Sequence, residues 1–265
     1  MDINGKNIIL TGASSGFGKS LLSKLLNYHD TQIIAVARHV EEIPSFENRI
    51  IPFACDLSTH EGVDRLFDFA KEKLGLIDIF IANAGFAYYE KMNTADWQHI
   101  ENIFSLNVIS PVYSLLKMNL QKKGYPMAFI MLASAGGLVA LPGFTLYSST
   151  KFAMNGFANA YKYECDKNIK LSVIYPVAAH TDFFNRAANN TPIPFPRQSV
   201  DAVTNSIIKG IKTGQRKMYP SKLFRFAYPF LRAFPFIIGL FQLKQGKDFQ
   251  KWMKNNKRLN SAIPS

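Results

Sequence analysis

Three residues in one stretch have the types and spacing for proton chemistry at an alcohol or carbonyl oxygen: Ser134, Tyr147 and Lys151. An apolar, β-rich run from Met127 to Ala133 leads into Ser134, and Gly136, Gly137, Pro142 and Gly143 then make a loop. From Thr145 onward Leu146, Phe152, Ala153, Phe157, Ala160 and Tyr161 recur at helical spacing. Tyr147 and Lys151 therefore share one helix face, about 6 Å apart along the axis. A phenol beside an ammonium can act as an acid near neutral pH, because the cation stabilises the phenolate and is expected to lower the tyrosine pKa. Ser134, at the strand end, can hydrogen-bond the same oxygen that the phenol protonates.

Spacing alone selects nothing, since Tyr-x-x-x-Lys occurs three times, at Tyr113/Lys117, Tyr147/Lys151 and Tyr163/Lys167. Only the middle pair has a serine at a strand end 13 residues upstream, with a glycine-rich loop between. The other two pairs are expected on solvated helix faces.

The elements that must position this apparatus begin with a short strand, Asn7 to Thr11, followed by Thr11-Gly-Ala-Ser-Ser-Gly-Phe-Gly18 and a helix marked by Leu21, Leu22, Leu25 and Leu26. A strand, a glycine turn and a helix N-terminus together make an anion site, with backbone N–H groups aimed at a phosphate. Gly12 would permit the tight turn, Gly16 the approach of a pyrophosphate, and Gly18 close helix–strand packing. A second strand, Gln32 to Ala37, ends at Arg38, where a guanidinium can grip a 2′-phosphate that an acid would repel. NADP is favoured over NAD on that ground.

Further strands are expected at Ile50 to Cys55, ending at Asp56-Leu57, at Ile77 to Ala82, leading into Asn83-Ala84-Gly85, and at Lys170 to Tyr175, broken by Pro176. Thr59 can cap the helix bearing Val63, Leu66, Phe67 and Ala70. Thr94 to Lys122 reads as mostly helical with a kink at Pro111, and residues 177–197, with three prolines, read as a mobile flap. A helix with Val200, Val203, Ile207, Ile208 and Ile211 and a last short strand near Arg216 to Pro220 close the series. This alternation predicts an α/β fold, a doubly wound parallel sheet of Rossmann type. Ligands in such sheets sit beyond the carboxyl ends of the strands, where Gly12, Arg38, Asp56, Asn83, Ser134 and Pro176 all fall.

Gross composition sets bounds. A chain of 265 residues with 48% apolar content can bury one large core. The start, Met1-Asp-Ile-Asn-Gly-Lys, reads as no secretory signal, and Cys55 and Cys165 form no metal or disulfide pattern. A reduced, cytoplasmic setting is the expectation. The five histidines are scattered, so no metal site is expected. The net charge of +12 is uneven: residues 1–208 carry 18 basic and 18 acidic side chains, whereas residues 209–258 carry 13 basic ones against Asp248 alone. Such asymmetry points to a partner surface near the C-terminus.

In order along the chain, Thr11-Gly-x-x-x-Gly-x-Gly18, Asp56, Asn83-Ala-Gly85, Asn107, Ser134 and Tyr147-x-x-x-Lys151 resemble the short-chain dehydrogenase/reductase family in its single-domain branch, over roughly residues 5–220. The resemblance implies a catalytic tetrad of Asn107, Ser134, Tyr147 and Lys151. Tyr147 would be the general acid/base, Lys151 would lower its pKa and bind the nicotinamide ribose, and Ser134 would orient the carbonyl. Asn107 would hold a water linking Lys151 to solvent. The implied cofactor-binding set is Gly12, Ser14, Ser15, Gly16, Phe17, Gly18, Arg38, Asp56, Leu57, Asn83, Ala84, Gly85, Tyr147, Lys151, Pro176 and Thr181. Asp56 would contact the adenine, Asn83 would shape the adenosine side, and Thr181 would reach the nicotinamide carboxamide. One departure stands out: the family's usual glycine after Pro176 is replaced by Val177.

Residues 1–220 are thus expected to form the cofactor-binding and catalytic domain, and residues 221–265 an aromatic, basic extension. Six phenylalanines lie between Leu223 and Phe241, and the charge-free run Ala233 to Leu243 is too short to span a bilayer. Aromatic surface flanked by Lys and Arg suits contact of residues 221–258 with anionic lipid, so that the protein would be peripheral on a membrane. A lid over the substrate pocket and an interface between copies are the alternatives for the same segment. The function read from all this is an NADP-dependent reductase or dehydrogenase of an apolar, lipid-like carbonyl or alcohol, assembled as a homo-oligomer. A non-catalytic NADP-binding sensor of the same fold is the rival, which the full Asn, Ser, Tyr and Lys set disfavours. No nucleic-acid motif accompanies the basic tail, and nucleic acid is not an expected partner.

Overall fold

Apolar residues that alternate between two faces along short β-runs give a sheet buried on both sides. The computed structural model describes residues 1–261 apart from Ser45, Glu47 and Lys122, with side chains described to residue 256. Lys122, the predicted end of the long helical segment, and the last four residues of the tail lie outside the described residues. The strands are β1 (Asn7–Thr11), β2 (Gln32–Ala37), β3 (Ile50–Ala54), β4 (Ile79–Ala82), β5 (Met127–Leu132), β6 (Ile169–Ile174), β7 (Ala178–Ala179), β8 (Arg197–Gln198) and β9 (Lys217–Met218). All except β7 and β8, which pair with each other, form one parallel sheet in the order β3-β2-β1-β4-β5-β6-β9.

The helices are α1 (Gly16–Leu25), α2 (His60–Leu74), α3 (Trp97–Phe104), α4 (Ser110–Asn119), α5 (Thr145–Tyr161), α6 (Phe183–Ala187), α7 (Val200–Thr213), α8 (Lys222–Ala233) and α9 (Pro235–Ser261). On one face Ile9, Ile34, Phe80 and Phe129 pack under Leu66 and Phe67 of α2, Leu115 of α4 and Met154 of α5. On the other face Ile8, Leu10, Ile33, Ile79 and Ile130 pack under Leu21 and Leu25 of α1 and Ile207 of α7. The sequence runs outward from β1 through β2 to β3, then returns to β4 on the other side of β1. That reversal opens a crevice at the carboxyl ends of β1 and β4, the place where such sheets bind ligands.

The predicted elements are present with shifted ends. The fourth strand starts at Ile79 because Asp78 turns away to accept from Lys6 Nζ at 3.0 Å, Asn7 N–H at 2.9 Å and the Tyr125 hydroxyl at 2.8 Å. Thr59 caps α2 as expected, accepting from Gly62 N–H at 3.1 Å. The segment predicted as one helix from Thr94 with a kink at Pro111 starts at Trp97, capped by Asp96, and passes through a π-helical turn, Ser105–Ile109. Pro111 stands in the first turn of α4, where its missing N–H costs little, and the irregularity falls just before it.

Tyr113 and Lys117 do not form the solvated pair the sequence suggested. The Tyr113 hydroxyl donates to Asp64 at 2.8 Å and Lys117 pairs with the same carboxylate, which ties α4 to α2. Tyr163, of the third pair, does stand in solvent at 83% exposure. Residues 177–197, read as a flap, carry β7, α6 and the start of β8. Past β9 the chain forms α8 and α9, which meet at a bend of 114°; no single described helix is long and apolar enough to cross a membrane.

Candidate active site

The carboxyl end of β1 turns at Gly12, whose φ of +66° favours glycine. A Cβ there would lie 2.9 Å from Asn83 Nδ2, and one on Gly18 would run into the Gly12 carbonyl oxygen. Asn83 Nδ2 donates to the Thr11 carbonyl at 2.9 Å and to the Gly12 carbonyl at 3.0 Å. Thr11 Oγ1 in turn accepts the N–H groups of Asn83 and Ala84, each at 3.0 Å. The loop is therefore held by side chains from β1 and the end of β4, and Gly12, Ser14, Ser15 and Gly16 line the crevice. A Cβ on Gly16 would meet only Thr181, 3.7 Å from its Cγ2, so this position opens toward the space where a phosphate would rest.

Ser134 closes β5. Its hydroxyl accepts from Gly136 N–H at 3.0 Å and lies 3.5 Å from the Pro176 carbonyl oxygen, which pins the short 3₁₀ turn Ala135–Gly137. Absence of a side chain at Gly137 lets that turn press on the backbone of Lys151, and so seats α5 against the strand end. Lys151 is 5% exposed, and its Nζ donates to the Leu132 carbonyl at 2.8 Å. The same nitrogen lies 5.6 Å from the centre of the Tyr147 ring.

Burial acts on both members of this pair, an effect that spacing alone does not show. Desolvation pushes the Tyr147 phenol up to about 12, against a smaller downward pull from the Ser134 hydroxyl. Desolvation also lowers the Lys151 ammonium to about 7. With its pKa raised in this way, the phenol is held in its proton-bearing form near neutral pH. That form suits donation to a carbonyl oxygen.

Asn107 is 1% exposed and sits in the π-helical turn. Its Oδ1 accepts from Phe86 N–H at 3.1 Å, while Nδ2 donates to the Phe86 carbonyl at 2.9 Å and to Thr150 Oγ1 at 3.1 Å. It locks the chain after Gly85 to α5. A Cβ on Gly85 would be 2.9 Å from Asn107 Oδ1 and 3.8 Å from Lys151 Nζ, so a glycine is needed there for this approach.

One cavity of about 1050 Å³ is lined by nearly every residue the sequence singled out. Gly12, Ser14, Ser15, Gly16, Phe17, Arg38, Asp56, Leu57, Asn83, Ala84, Gly85, Ser134, Tyr147, Lys151, Pro176 and Thr181 all contribute to it. Gly18 and Asn107 stand behind its wall and act through packing and hydrogen bonding. Arg38 is exposed at one end and pairs with no carboxylate among the described residues, whereas Asp56 is turned onto its own chain by Ser58 N–H at 2.9 Å. Cradle, cation and acid together fit an adenine dinucleotide along the carboxyl edge of β1, β2 and β4.

Sequence reasoning missed two contributors. Thr11 was read only as part of the glycine motif, although its hydroxyl organises the loop. Arg186 of α6 reaches Ser15, and no motif marked it. The tail, for which a lid over the substrate pocket was one of the alternatives, lines the same cavity with Leu223, Phe224, Ala227 and Leu231 of α8 and Ile237, Ile238 and Phe241 of α9. Phe249 and Trp252 of α9 pack on Tyr89 with ring centres 5.3 and 4.7 Å away, and Gln242 Nε2 donates to the Ala140 carbonyl at 3.0 Å. Val177, the departure from the family pattern, is buried against Val139 and Phe224. Its side chain fills space beside α8 where the usual glycine would leave a gap. A separate shallow depression of about 940 Å³ runs along α9 past Phe236, Leu240 and Lys251, away from the chemical groups.

A doubly wound sheet, a glycine cradle at its switch point and a Ser/Tyr/Lys group beside it define a dinucleotide-dependent oxidoreductase. The family model for short chain dehydrogenases matches residues 6–191, and the chain belongs to that family. It is an oxidoreductase acting on CH–OH groups. Oxidoreductase BOA17 of Botryotinia fuckeliana is 29% identical over 225 residues, covering 81% of this chain and 80% of that protein. A 3-ketodihydrosphingosine reductase of Dictyostelium discoideum is 24% identical, covering 96% of this chain and 91% of its own length. A short chain dehydrogenase from Burkholderia cenocepacia J2315, solved in complex with NADP, shares the fold at a TM-score of 0.79 and 21% identity, covering 92% of this chain and 99% of that one.

Proposed function

We propose that this chain is an NADP-preferring reductase of a long, apolar carbonyl compound that works at an anionic membrane surface. The observation that carries the reading is one cavity lined at once by Arg38, by Ser134, Tyr147 and Lys151, and by apolar residues of α8 and α9. The dinucleotide, when bound, supplies or takes up the hydride. Every other task falls to the chain. Gly12, Ser14, Ser15, Gly16 and Phe17 would hold the phosphates, Arg38 the 2′-phosphate, and Asp56 and Leu57 the adenosine end. Asn83, Ala84, Gly85, Pro176 and Thr181 would shape the remaining walls, with Gly18 packed behind them.

Tyr147 would give its proton to the substrate oxygen, and Ser134 would fix that oxygen by a hydrogen bond. Lys151, whose ammonium pKa is lowered to about 7 by burial, would be driven to its charged form when negative charge enters the cavity, and would then bind the ribose and stabilise the phenolate left behind. Asn107 is a positioning residue here: its amide is engaged with Phe86 and Thr150, so it holds α5 against the loop after β4. The name of the Dictyostelium discoideum relative supports a lipid-like substrate, as does the apolar lining. The exposed rings of Phe226, Phe230 and Phe236, beside Lys222, Arg225 and Arg232, would meet the bilayer. Assembly as a homo-oligomer belongs to the same proposal and is read by light scattering.

The test is a series of ketones of rising chain length assayed by NADPH absorbance. Rising kcat/KM with chain length is expected, as each buried methylene contributes about 0.8 kcal/mol. Preference for short, polar ketones would refute the lipid-like substrate.

A further inference from the structure

A dinucleotide carries negative charge at its diphosphate, yet residues 11–18, the loop expected beneath it, contain no Lys or Arg. Among the described residues, three cationic side chains line the cavity: Arg38, Lys151 and Arg186. Arg38 lies beyond the end of β2, and Lys151 is buried beside Leu132 and Tyr147. Only Arg186 stands at the loop, with Nη1 donating to Ser15 Oγ at 3.4 Å. Ser15 occupies the N-cap position of α1, but its hydroxyl accepts no N–H of that helix, so this helix end is left open to an outside anion. Arg186 itself is exposed and pairs with no carboxylate among the described residues.

Arg186 is carried by α6, and the same short helix supplies the wall beside the reacting groups. The Phe183 ring centre is 5.3 Å from that of Tyr147, and Phe184 is 6.0 Å from Phe144. An anion held by Arg186 would therefore touch the helix that carries two aromatic side chains of the cavity wall.

We propose that Arg186 is the cation for the cofactor's diphosphate, and that this contact couples occupancy of the cofactor site to the position of the Phe183–Phe184 wall. The proposal rests on the dinucleotide reading of the cavity and adds to it a residue outside the family motifs. A guanidinium from 177–197 and the open end of α1 would hold the diphosphate between them. Bidentate charge-assisted contact is the strongest that a side chain can offer a phosphate. Diphosphate binding and ordering of the substrate wall would then be one event.

Two cofactor fragments separate the cations. ADP-ribose has the diphosphate and no 2′-phosphate, and 2′-AMP has the reverse. By calorimetry, Arg186→Ala is expected to weaken ADP-ribose about tenfold or more and leave 2′-AMP within twofold, while Arg38→Ala does the opposite. Arg186→Lys should recover part of the ADP-ribose affinity. Chymotryptic cleavage at Phe183 and Phe184 should be slowed by ADP-ribose in the unaltered protein and not in Arg186→Ala. An unchanged affinity for ADP-ribose in Arg186→Ala overturns the assignment, and so does equal loss of both fragments, which would mark general damage to the site. Failure of the unaltered protein to bind either fragment would instead refute the dinucleotide reading itself.

Discussion

Lys151 is a cation placed where a cation is costly, and replacing it by methionine should separate stability from activity. The residue is 5% exposed, its nitrogen has the Leu132 carbonyl at 2.8 Å and the Met154 sulfur at 3.6 Å, and it forms no ion pair among the described residues. Burial lowers its pKa from 10.5 to about 7 in the folded chain. In the unfolded chain it keeps its proton up to the higher value. The folded state therefore binds fewer protons between those limits, and stability rises with pH through the window. Below about pH 7 both states are protonated and the penalty is fully present. Each unit of pH above that restores up to about 1.4 kcal/mol, or some 2–3 kcal/mol between pH 6 and 9. Lys151→Met has a similar shape and no titrating group, so its unfolding free energy in urea should lack this rise. The difference curve between the two proteins, taken at pH 6, 7, 8 and 9, isolates the residue from all other titrations. The variant should be the more stable at pH 6 and inactive throughout. Parallel curves for the two proteins would show that the ammonium is not desolvated and that Tyr147 has a fully charged neighbour.

Tyr147→Phe should remove turnover while NADPH binding changes little, because the proton donor is lost and the ring stays; substantial residual activity would exclude Tyr147 as the acid. Arg38→Asp should move the NADPH-to-NADH preference tenfold or more toward NADH, since charge-assisted contacts contribute about 1.5–3 kcal/mol; an unchanged ratio of kcat/KM values would show that Arg38 points elsewhere. Phe226→Ser with Phe230→Ser and Phe236→Ser should reduce co-sedimentation with anionic vesicles without shifting Tm, as each side chain is exposed in the free protein, Phe226 at 76%. Equal sedimentation of the triple variant and the unaltered protein would remove these rings from any membrane contact.

Local chemistry made much of this protein readable before its structure. The β-runs from Asn7 to Ile174 were visible because buried parallel strands are continuous apolar segments, and Gly12, Gly16 and Gly18 because only glycine fits a turn that tight. Tyr147 was separable from Tyr113 and Tyr163 because a strand-end serine and a glycine loop preceded it. These are properties of neighbours in sequence, and the sequence suffices for them. Distant contacts decided the rest. Asp64 reaches Tyr113 and Lys117 across the gap between two helices, and converts an expected solvated pair into a tie between α2 and α4. Spacing placed a charge beside the Tyr147 phenol, but only the closed fold shows that both groups are desolvated, which raises one pKa and lowers the other. Composition marked the tail as aromatic and basic. Its packing over Val177 and Tyr89 depends on the bend between α8 and α9, and that arrangement turns residues beyond 220 into a wall of the cavity. Burial and long-range contact are sums over the whole chain, so these features became readable only in the tertiary structure.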